Sequence, residues 1–497
     1  MVGRGRFLVA VLAVLGAVVA LVASGAGTQT AALNQAAAGQ PKDQAATSRP
    51  NVIVIETDDQ TVESMKVMQN VNSLIGAQGA TFSNSLLNFS LCCPSRATFL
   101  TGQYAHNHGV WSNHAPNGGF DRFEPLHANS NLAVWLQHAG YYTAMIGKYL
   151  NNYKNQPPIP PGWSEWHATA PYEQRVYSYP INNNGRIVQY GQAPKDYKDD
   201  VLTRKAVGLV NQRATKTQPF FLWLTYTAPH VGGPPTHNPP QNCTDAAKPP
   251  VRYANAFANE PLPKPPNFNE ADVSDKPKAI RRLPLLNSSQ IATIRRKYRC
   301  ELESLLGVDD GVKKVIDALK AKGALDNTLI IYTTDNGYFH GEHRIPGDKE
   351  HVYEESIRAP LEMRGPGIPQ GATINPLVTN ADLAPTIVDA ANANHGSVVM
   401  DGRSLLPVVR HPVIDNNREL LVEEPTYKAI RTERYVYVEY TTGEKELYDL
   451  QNDPYELQSL QDDPAYASVK AVLAQRLQKL KNCSGATCRV YQPDPSP

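Results

Sequence analysis

The sequence predicts an α/β fold: a large, mainly parallel sheet flanked by helices, with a smaller C-terminal antiparallel sheet and a terminal helix. Four short apolar runs each lead into polar residues, as buried strands of a parallel sheet do. Helical periodicity lies between these runs, and short alternating runs follow Pro412. At 497 residues the chain is long enough for a large core and two domains.

The four apolar runs predict strands whose ends carry candidate ligands. They cover residues 51–56, 143–146, 220–225 and 329–334, and they lead into Asp58-Asp59, Lys148, His230 and Asp335-Asn336, respectively. Ligands of open α/β sheets bind outside the carboxyl ends of the strands. We therefore expect these side chains to converge on one site.

A long helical pattern separates the third and fourth runs. Apolar residues recur every three or four positions from Ile291 to Leu319, Ser288 or Ser289 can cap the start, and Gly323 can end the helix. Beyond Pro412, the runs 427–431, 435–440 and 446–450 predict a small antiparallel sheet, and 468–481 a terminal helix. We expect a catalytic domain over residues 50–410 and a C-terminal subdomain over 411–497.

The first 26 residues have the order of a secretory signal. Two arginines precede an apolar run from Phe7 to Val22, and small residues follow it. The run is short for a membrane span, so export with cleavage is the prediction and an uncleaved anchor the alternative. Residues 27–49 are predicted to be a flexible leader. We expect a secreted or extracytoplasmic protein with no stable membrane insertion after cleavage.

The charge balance excludes some classes of partner. The formal net charge is +1, and the sequence has no long basic or acidic block. Nucleic acids and anionic membrane surfaces attract strongly basic patches, so neither is a predicted partner.

The stretch Leu91–Gly102, LCCPSRATFLTG, is predicted to begin a helix with a reactive group at an anion site. Pro94 suits a first helical turn, because its missing N–H would find no partner there. Cys92 would lie just outside the N-terminus, where free N–H groups favour an anion. Arg96 adds a forked positive charge suited to a tetrahedral oxyanion.

This stretch resembles the type I sulfatase signature C-x-P-S-R-x-x-x-L-T-G, with Cys92 as its first cysteine. In that family the cysteine is oxidised to formylglycine, so the resemblance implies this fate for Cys92 and a formylglycine-generating enzyme as a maturation partner. One hydroxyl of the hydrated aldehyde attacks sulfur and expels the alcohol, and deprotonation of the other then ejects sulfate and restores the aldehyde. The resemblance extends over roughly residues 50–462, and its tail segment Glu446–Leu457 is expected to have a packing role.

Asp58, Asp59, Asp335 and Asn336 offer only oxygen ligands, which favour Ca²⁺ or Mg²⁺ over zinc. The resemblance makes them a calcium site, completed by an oxygen of the modified Cys92. It also implies that Arg96, Lys148, His230 and Lys349 hold the cationic and acid/base positions. Either His230 or Lys148 could protonate the leaving alcohol.

The chain departs from many relatives at one position. Many relatives carry a histidine two residues after the lysine of a Gly-Lys pair. In this chain the pair is Gly147-Lys148, and the residue at that position is Leu150. The segment Gly147–Asn151 and the cysteine signature look like the N-acetylglucosamine-6-sulfatase branch. The resemblance therefore implies a sulfated amino sugar as substrate, with synthetic aryl sulfates also accepted.

Other features leave alternatives open. If Cys92 is converted and Cys93 stays unpaired, Cys243–Cys300 and Cys483–Cys488 are the preferred disulfides among three possible connectivities. The Pro-rich segment 231–285 is expected beside the site, or else is a plain surface insertion. Four histidines are candidates only for the substrate rim: His106, His108, His340 and His343.

The sequence is compatible with three functions. The first is an exported sulfatase that hydrolyses sulfate monoesters, either aryl sulfates or sugar 6-sulfates. The second is a phosphate or phosphonate ester hydrolase of the related alkaline-phosphatase-like superfamily, because a cationic cradle also accepts phosphoryl groups. The third is a secreted protein without catalysis that binds anions or glycans and keeps Cys92 unmodified.

Overall fold

The computed structural model describes residues 49–154, 159–170, 174–233, 243–411 and 417–497. The predicted signal segment 1–26 and nearly all of the predicted leader 27–49 lie outside these residues. No helix in the described ranges is long and apolar enough to cross a membrane.

The strands and helices follow in chain order. The strands are β1 (Asn51–Asp58), β2 (Ala80–Phe82), β3 (Ser85–Leu86), β4 (Tyr142–Lys148), β5 (Glu165–Thr169), β6 (Pro180–Asn183), β7 (Arg186–Gln189), β8 (Phe220–Pro229), β9 (Thr328–Thr334), β10 (Glu362–Arg364), β11 (Ala372–Ile374), β12 (Val378–Thr379), β13 (Arg418–Glu424), β14 (Tyr427–Arg431), β15 (Tyr435–Tyr440), β16 (Lys445–Asp449) and β17 (Val490–Tyr491). The α-helices are α1 (Gln69–Val71), α2 (Cys92–Thr101), α3 (Ala105–His108), α4 (Phe120–His127), α5 (Leu132–His138), α6 (Lys198–Arg213), α7 (Lys278–Arg281), α8 (Ser288–Ala321), α9 (Glu354–Ile357), α10 (Leu383–Ala391), α11 (Leu406–Arg410) and α12 (Ala467–Leu480).

The large sheet has ten strands in the order β11-β2-β10-β9-β1-β8-β4-β5-β6-β7. Its centre, from β9 through β1, β8 and β4 to β5, is parallel, and antiparallel pairs involving β10, β6 and β7 flank that centre. The four predicted strands are neighbours in this centre. The predicted fold class is confirmed.

The sheet is buried on both faces because its strands are apolar on both faces. In β1, Val52 and Val54 pack with residues of α2, α5 and α10, whereas Ile53 and Ile55 pack on the opposite face with α6 and α8. All four side chains are fully buried. Each burial stabilises the fold by about 1.5–3 kcal/mol, so the central strands hold their carboxyl ends firmly.

Helix α8 covers one face of the sheet, and its ends follow ordinary capping chemistry. Its N-cap is Asn287 rather than either predicted serine: the Asn287 side chain accepts from Gln290 N, and the Gln290 side chain accepts from Asn287 N, both at 3.0 Å. This reciprocal pair requires a glutamate or glutamine three residues after the N-cap. Among Asn287, Ser288 and Ser289, only Asn287 is followed by such a residue at that spacing. Gly323 follows the last turn with φ +66°, as predicted for the helix end.

The C-terminal sheet has the strand order β16-β15-β14-β13-β17 and is antiparallel throughout. Leucines of α12 pack on one face of this sheet. The described residues after the leader form one compact unit that includes both sheets. The division at residue 410 stays a prediction.

Both preferred disulfides are present, Cys243–Cys300 and Cys483–Cys488. Cys92 and Cys93 are buried free thiols. The first disulfide joins the Pro-rich segment to α8, and the second closes a short loop after α12.

Candidate active site

The carboxyl ends of four adjacent parallel strands place the predicted residues together. Asp58 ends β1, Lys148 ends β4, His230 follows β8 and Asp335 follows β9. Because these strands are neighbours and parallel, their ends share one edge of the sheet. The convergence expected from the sequence is what the structure shows.

Cys92 begins helix α2 at this edge. Leu91 is the N-cap, in extended conformation, so Cys92 is the first helical residue rather than the residue just outside the helix. Its Sγ lies 3.5 Å from Asp58 Oδ1 and 3.4 Å from Lys349 Nζ. Gly102, with φ +69°, ends the helix.

Burial raises the pKa of the Cys92 thiol to about 12; the nearby Asp58 carboxylate also raises it, whereas Lys148 and Lys349 lower it. The thiolate is the nucleophilic form of cysteine. The unmodified side chain is therefore a poor nucleophile at neutral pH, despite its position beside two lysines.

The four predicted oxygen ligands lie at the ends of β1 and β9, and Asp58 and Asp59 cluster with Cys92. Asp58, Asp335 and Asn336 are almost fully buried, and Asp59 has a left-handed backbone with φ +67°. Two of their oxygens, Asp335 Oδ1 and Asn336 Oδ1, are buried without a hydrogen-bond partner among the described residues. Such oxygens are costly to bury unless a cation or donor meets them. The donor set therefore fits a hard divalent cation.

A second feature supports this fit. One ligand atom from each of Asp58, Asp59, Cys92 and His230 lies within 4.8 Å of the others. The cysteine position thus belongs to the same cluster as the carboxylates, as a shared role in binding a cation requires.

Two lysines neutralise the carboxylates. Lys148 Nζ donates to Asp58 Oδ2, and Lys349 Nζ donates to Asp59 Oδ1. Burial lowers the pKa of both lysines, but the carboxylates outweigh it and hold both values above the ordinary one. Both lysines therefore stay charged at neutral pH and can face an anion.

The Arg96 side chain is fully buried and contacts three neighbouring residues. Its Nε donates to Asp335 Oδ2 at 2.8 Å, its Nη1 donates to Lys148 O at 2.9 Å, and its Nη2 lies 3.1 Å from Glu56 Oε1. The guanidinium thus links the ends of β9 and β4. These contacts favour a positioning role over direct contact with a bound anion.

His230 is the most exposed of the clustered side chains, at 16%. Its Nδ1 lies 2.9 Å from Val231 O, so it must carry the proton of that hydrogen bond. Its Nε2 lies 3.7 Å from Asp59 Oδ2 and faces the cluster. This ring can accept or deliver a proton at Nε2.

Glu56 is a site residue that the sequence analysis missed. It is buried in β1, its Oε2 accepts from Trp223 Nε1 at 3.1 Å, and burial raises its pKa to about 7 despite the nearby Arg96. Its charge at the end of the apolar run 51–56 could have indicated a buried, paired carboxylate.

The histidines suggested for the rim have other roles, with one exception. The ring of His106 contacts Glu423 and Cys483 O, that of His108 contacts Thr98 and the backbone at Val110, and that of His343 contacts Glu270. His340 lines a cavity of about 550 Å³. Pro263–Pro265 and Thr61 line the same cavity, so part of the Pro-rich segment lies near the end of β1.

Gly147 is required where it stands in β4. Its φ is +123°, and a Cβ there would lie 1.8 Å from Thr225 O on β8. We expect Gly147→Ala to destabilise the fold by about 2–4 kcal/mol and to displace Lys148, because strain and overlap add. Thermal unfolding measures the first effect and turnover the second.

Gly208→Ala in α6 is the matched control. A Cβ at Gly208 meets nothing within 4 Å, and alanine should stabilise this helix by about 0.5–1 kcal/mol. Equal melting temperatures for the two variants would contradict the account of Gly147.

A buried cysteine at a helix start, two charged lysines, a histidine and an oxygen-ligand set define the class of protein. They are the parts of an enzyme with an α/β fold that hydrolyses esters of a tetrahedral oxyanion. The chain belongs to the sulfatase family: residues 50–393 match the family described as Sulfatase. Residues 341–483 match the family described as N-sulphoglucosamine sulphohydrolase, C-terminal. The predicted enzyme class, a sulfuric ester hydrolase, is confirmed.

Individual relatives agree with this assignment. The chain is 34% identical to N-acetylglucosamine-6-sulfatase of Homo sapiens, over 90% of this chain and 87% of that protein. It is 37% identical to a putative extracellular sulfatase Sulf-1 homolog of Caenorhabditis elegans over 73% of this chain, which spans only 49% of that relative. A protein solved in complex with its substrate D-glucosamine-2-N,6-O-disulfate superposes with a TM-score of 0.73 at 26% identity, covering 87% of this chain and 97% of that one.

Proposed function

We propose that this protein is an exported sulfatase that hydrolyses the sulfate monoester of a sugar through a formylglycine made from Cys92 and a bound divalent cation. The observation that carries the proposal is the position of Cys92 Sγ, 3.4 Å from Lys349 Nζ and 3.5 Å from Asp58 Oδ1. The conserved fate of this cysteine in the sulfatase family supports the modification.

The chemistry divides between the modified residue, the cation and the surrounding side chains. A hydrated formylglycine supplies a hydroxyl nucleophile that the buried thiol lacks, and a cation supplies Lewis-acid polarisation of a sulfate oxygen. Asp58, Asp59, Asp335 and Asn336 would hold the cation, with the modified residue 92 completing the set. Calcium fits these oxygen ligands best, and magnesium is the alternative.

The side chains of this protein hold the sulfate and move protons. Lys148 and Lys349 stay protonated and would bind the sulfate oxygens as point charges. Arg96 would act through Asp335 and the Lys148 backbone, as a positioning residue. His230 Nε2 would protonate the departing alcohol, because position 150, where many relatives carry a histidine, is a leucine with no proton to donate.

A sugar bearing the ester on a primary hydroxyl is the proposed substrate class. The human relative is an N-acetylglucosamine-6-sulfatase, and the solved neighbour binds a 6-O-sulfated glucosamine. Aryl sulfates should also turn over, because their leaving group needs little protonation. The proposed substrate is therefore a sugar 6-sulfate, with aryl sulfates as alternative substrates.

Export is proposed from the N-terminal sequence and is supported by a relative described as an extracellular sulfatase. A formylglycine-generating enzyme would be the maturation partner. We also propose that residues 50–410 form the catalytic domain and 411–497 the C-terminal subdomain.

His230→Ala tests the acid. We expect it to slow hydrolysis of a sugar 6-sulfate by about 10²–10⁴-fold and of a nitrophenyl sulfate much less, because only the sugar alcohol is a poor leaving group. Steady-state kcat on both substrates measures the difference. Equal losses would mean that His230 only binds sulfate, and would transfer the acid role to Lys148 or Lys349.

Comparing sulfate with phosphate esters tests the reaction class. Matched nitrophenyl sulfate and phosphodiester substrates should show the higher kcat/KM for sulfate. Faster phosphodiester turnover would contradict the proposal and favour a phosphate or phosphonate ester hydrolase.

A further inference from the structure

A second cluster of candidate ligands lies outside the active site. One ligand atom from each of His343, Glu355 and Glu456 lies within 4.8 Å of the others. The three residues come from different segments: the loop after β9, helix α9 and the turn after β16. Glu456 belongs to the tail segment Glu446–Leu457, to which the sequence assigned only packing.

Two oxygens of this cluster, Glu355 Oε2 and Glu456 Oε1, are buried without a hydrogen-bond partner among the described residues, and so is Oδ1 of Asn267, whose amide donates to Glu355. Glu456 is 1% exposed and Asn267 0%. The second oxygen of each glutamate is satisfied, since Glu355 Oε1 accepts from Asn267 Nδ2 at 2.8 Å and Glu456 Oε2 accepts from Glu354 N at 3.0 Å. The unpaired oxygens are therefore those left for another group.

The carboxylates next to these two glutamates have cationic partners of their own. Glu270 pairs with the buried Lys276 at 3.5 Å, and Glu354 pairs with Arg431 at 2.9 Å. In the described ranges no lysine or arginine forms an ion pair with Glu355 or Glu456. Glu355 is half-buried, but two carboxyl groups this close, each with a buried unpaired oxygen, need a cation or a shared proton.

His343 has the arrangement of a metal-binding imidazole. Its Nδ1 donates to Glu270 Oε2 at 2.7 Å, which fixes the tautomer and leaves a lone pair on Nε2. Its ring stacks on Tyr353, with centroids 4.2 Å apart, and is fully buried. The present partner of Nε2 is Asn267 Nδ2 at 3.2 Å, a long contact that a cation could replace.

We propose that His343, Glu355 and Glu456 form a second metal site that binds zinc and ties the tail turn to the loop that carries Lys349. One imidazole and two carboxylates suit zinc, whereas the oxygen-only ligand set at the sheet edge suits calcium. Glu355, Pro454 and Tyr455 line the cavity of about 550 Å³, which gives an ion a route to the site. The role is structural, because the site joins three chain segments.

Zinc binding by the calcium-saturated full-length protein tests the proposal. After chelation, the protein is dialysed against micromolar free zinc in millimolar calcium, which keeps the oxygen-ligand site filled, and metals are counted by elemental analysis. We expect one zinc per chain and a zinc-dependent rise in Tm of several degrees. His343→Gln and Glu456→Gln should each lose the zinc and the Tm rise while keeping calcium.

Glu446→Gln is the matched control, because Glu446 is also a buried glutamate of the tail but accepts from tyrosine hydroxyls instead. It should keep the zinc. If the native protein binds no zinc and its Tm is unmoved, Glu355 and Glu456 share only a proton and the proposal is wrong. Zinc retained by His343→Gln and Glu456→Gln would place the ion elsewhere and also contradict it. The native measurement decides the question even if a variant fails to fold.

Discussion

Cys92→Ala should abolish hydrolysis of sulfate esters, by roughly 10⁶-fold, while the protein stays folded. A loss of that size is typical when the nucleophile of a covalent catalyst is removed. The fold should lose only about 1–2 kcal/mol, because one small side chain at the start of α2 contributes little to a sheet buried on both faces. Steady-state turnover and thermal unfolding of the purified variant measure the two effects.

Cys93→Ala is the control, since Cys93 is equally buried and adjacent but packs in the core cluster beneath the site. It should cost about 1–2 kcal/mol of stability and little activity. Substantial hydrolysis by Cys92→Ala would contradict the formylglycine mechanism.

Asp335→Asn should remove one divalent cation per chain and slow turnover by about 10³-fold. Lewis-acid stabilisation by a metal contributes several kcal/mol, which corresponds to that factor. The substitution also removes the charge that Arg96 Nε contacts at 2.8 Å. Elemental analysis should show calcium lost from the variant, and chelation of the native enzyme should give a loss of activity that added calcium reverses.

Asp199→Asn controls for the loss of a buried carboxylate, because Asp199 is 1% exposed at the start of α6 and is not one of the clustered candidate ligands. It should keep both calcium and activity. If Asp335→Asn instead loses one zinc ion, or two metal ions, that the native protein contains, a single hard-cation site is contradicted. That result would favour the phosphatase alternative.

The central strands were predictable because their sequence signal is strong and local. Apolar runs of this length, ending in charged residues, leave few alternatives to buried parallel strands. Strand β13 was missed, because Arg418, Glu419 and Glu423 give it a polar pattern. The fold buries these charges in pairs, for example Arg418 with Asp382 at 2.6 Å, and such pairing between distant segments has no local signal.

The candidate site was predictable as a set of residues but not as a set of contacts. Its residues were predicted from the polar residues at the ends of β1, β4, β8 and β9 and from the cysteine stretch. The partners of Arg96 depend on sheet order, which placed Lys148 O and Asp335 on either side of its guanidinium. The cluster of His343, Glu355 and Glu456 depends on how the tail folds back on α9. No spacing within one segment could have revealed either arrangement.

The mass of the peptide containing Cys92, taken from protein produced with the maturation enzyme, tests the central claim most directly. The account predicts that the sulfur of Cys92 is replaced by an aldehyde oxygen, that Cys93 keeps its sulfur, and that the modified fraction tracks specific activity. An unmodified Cys92 thiol in fully active protein would contradict it.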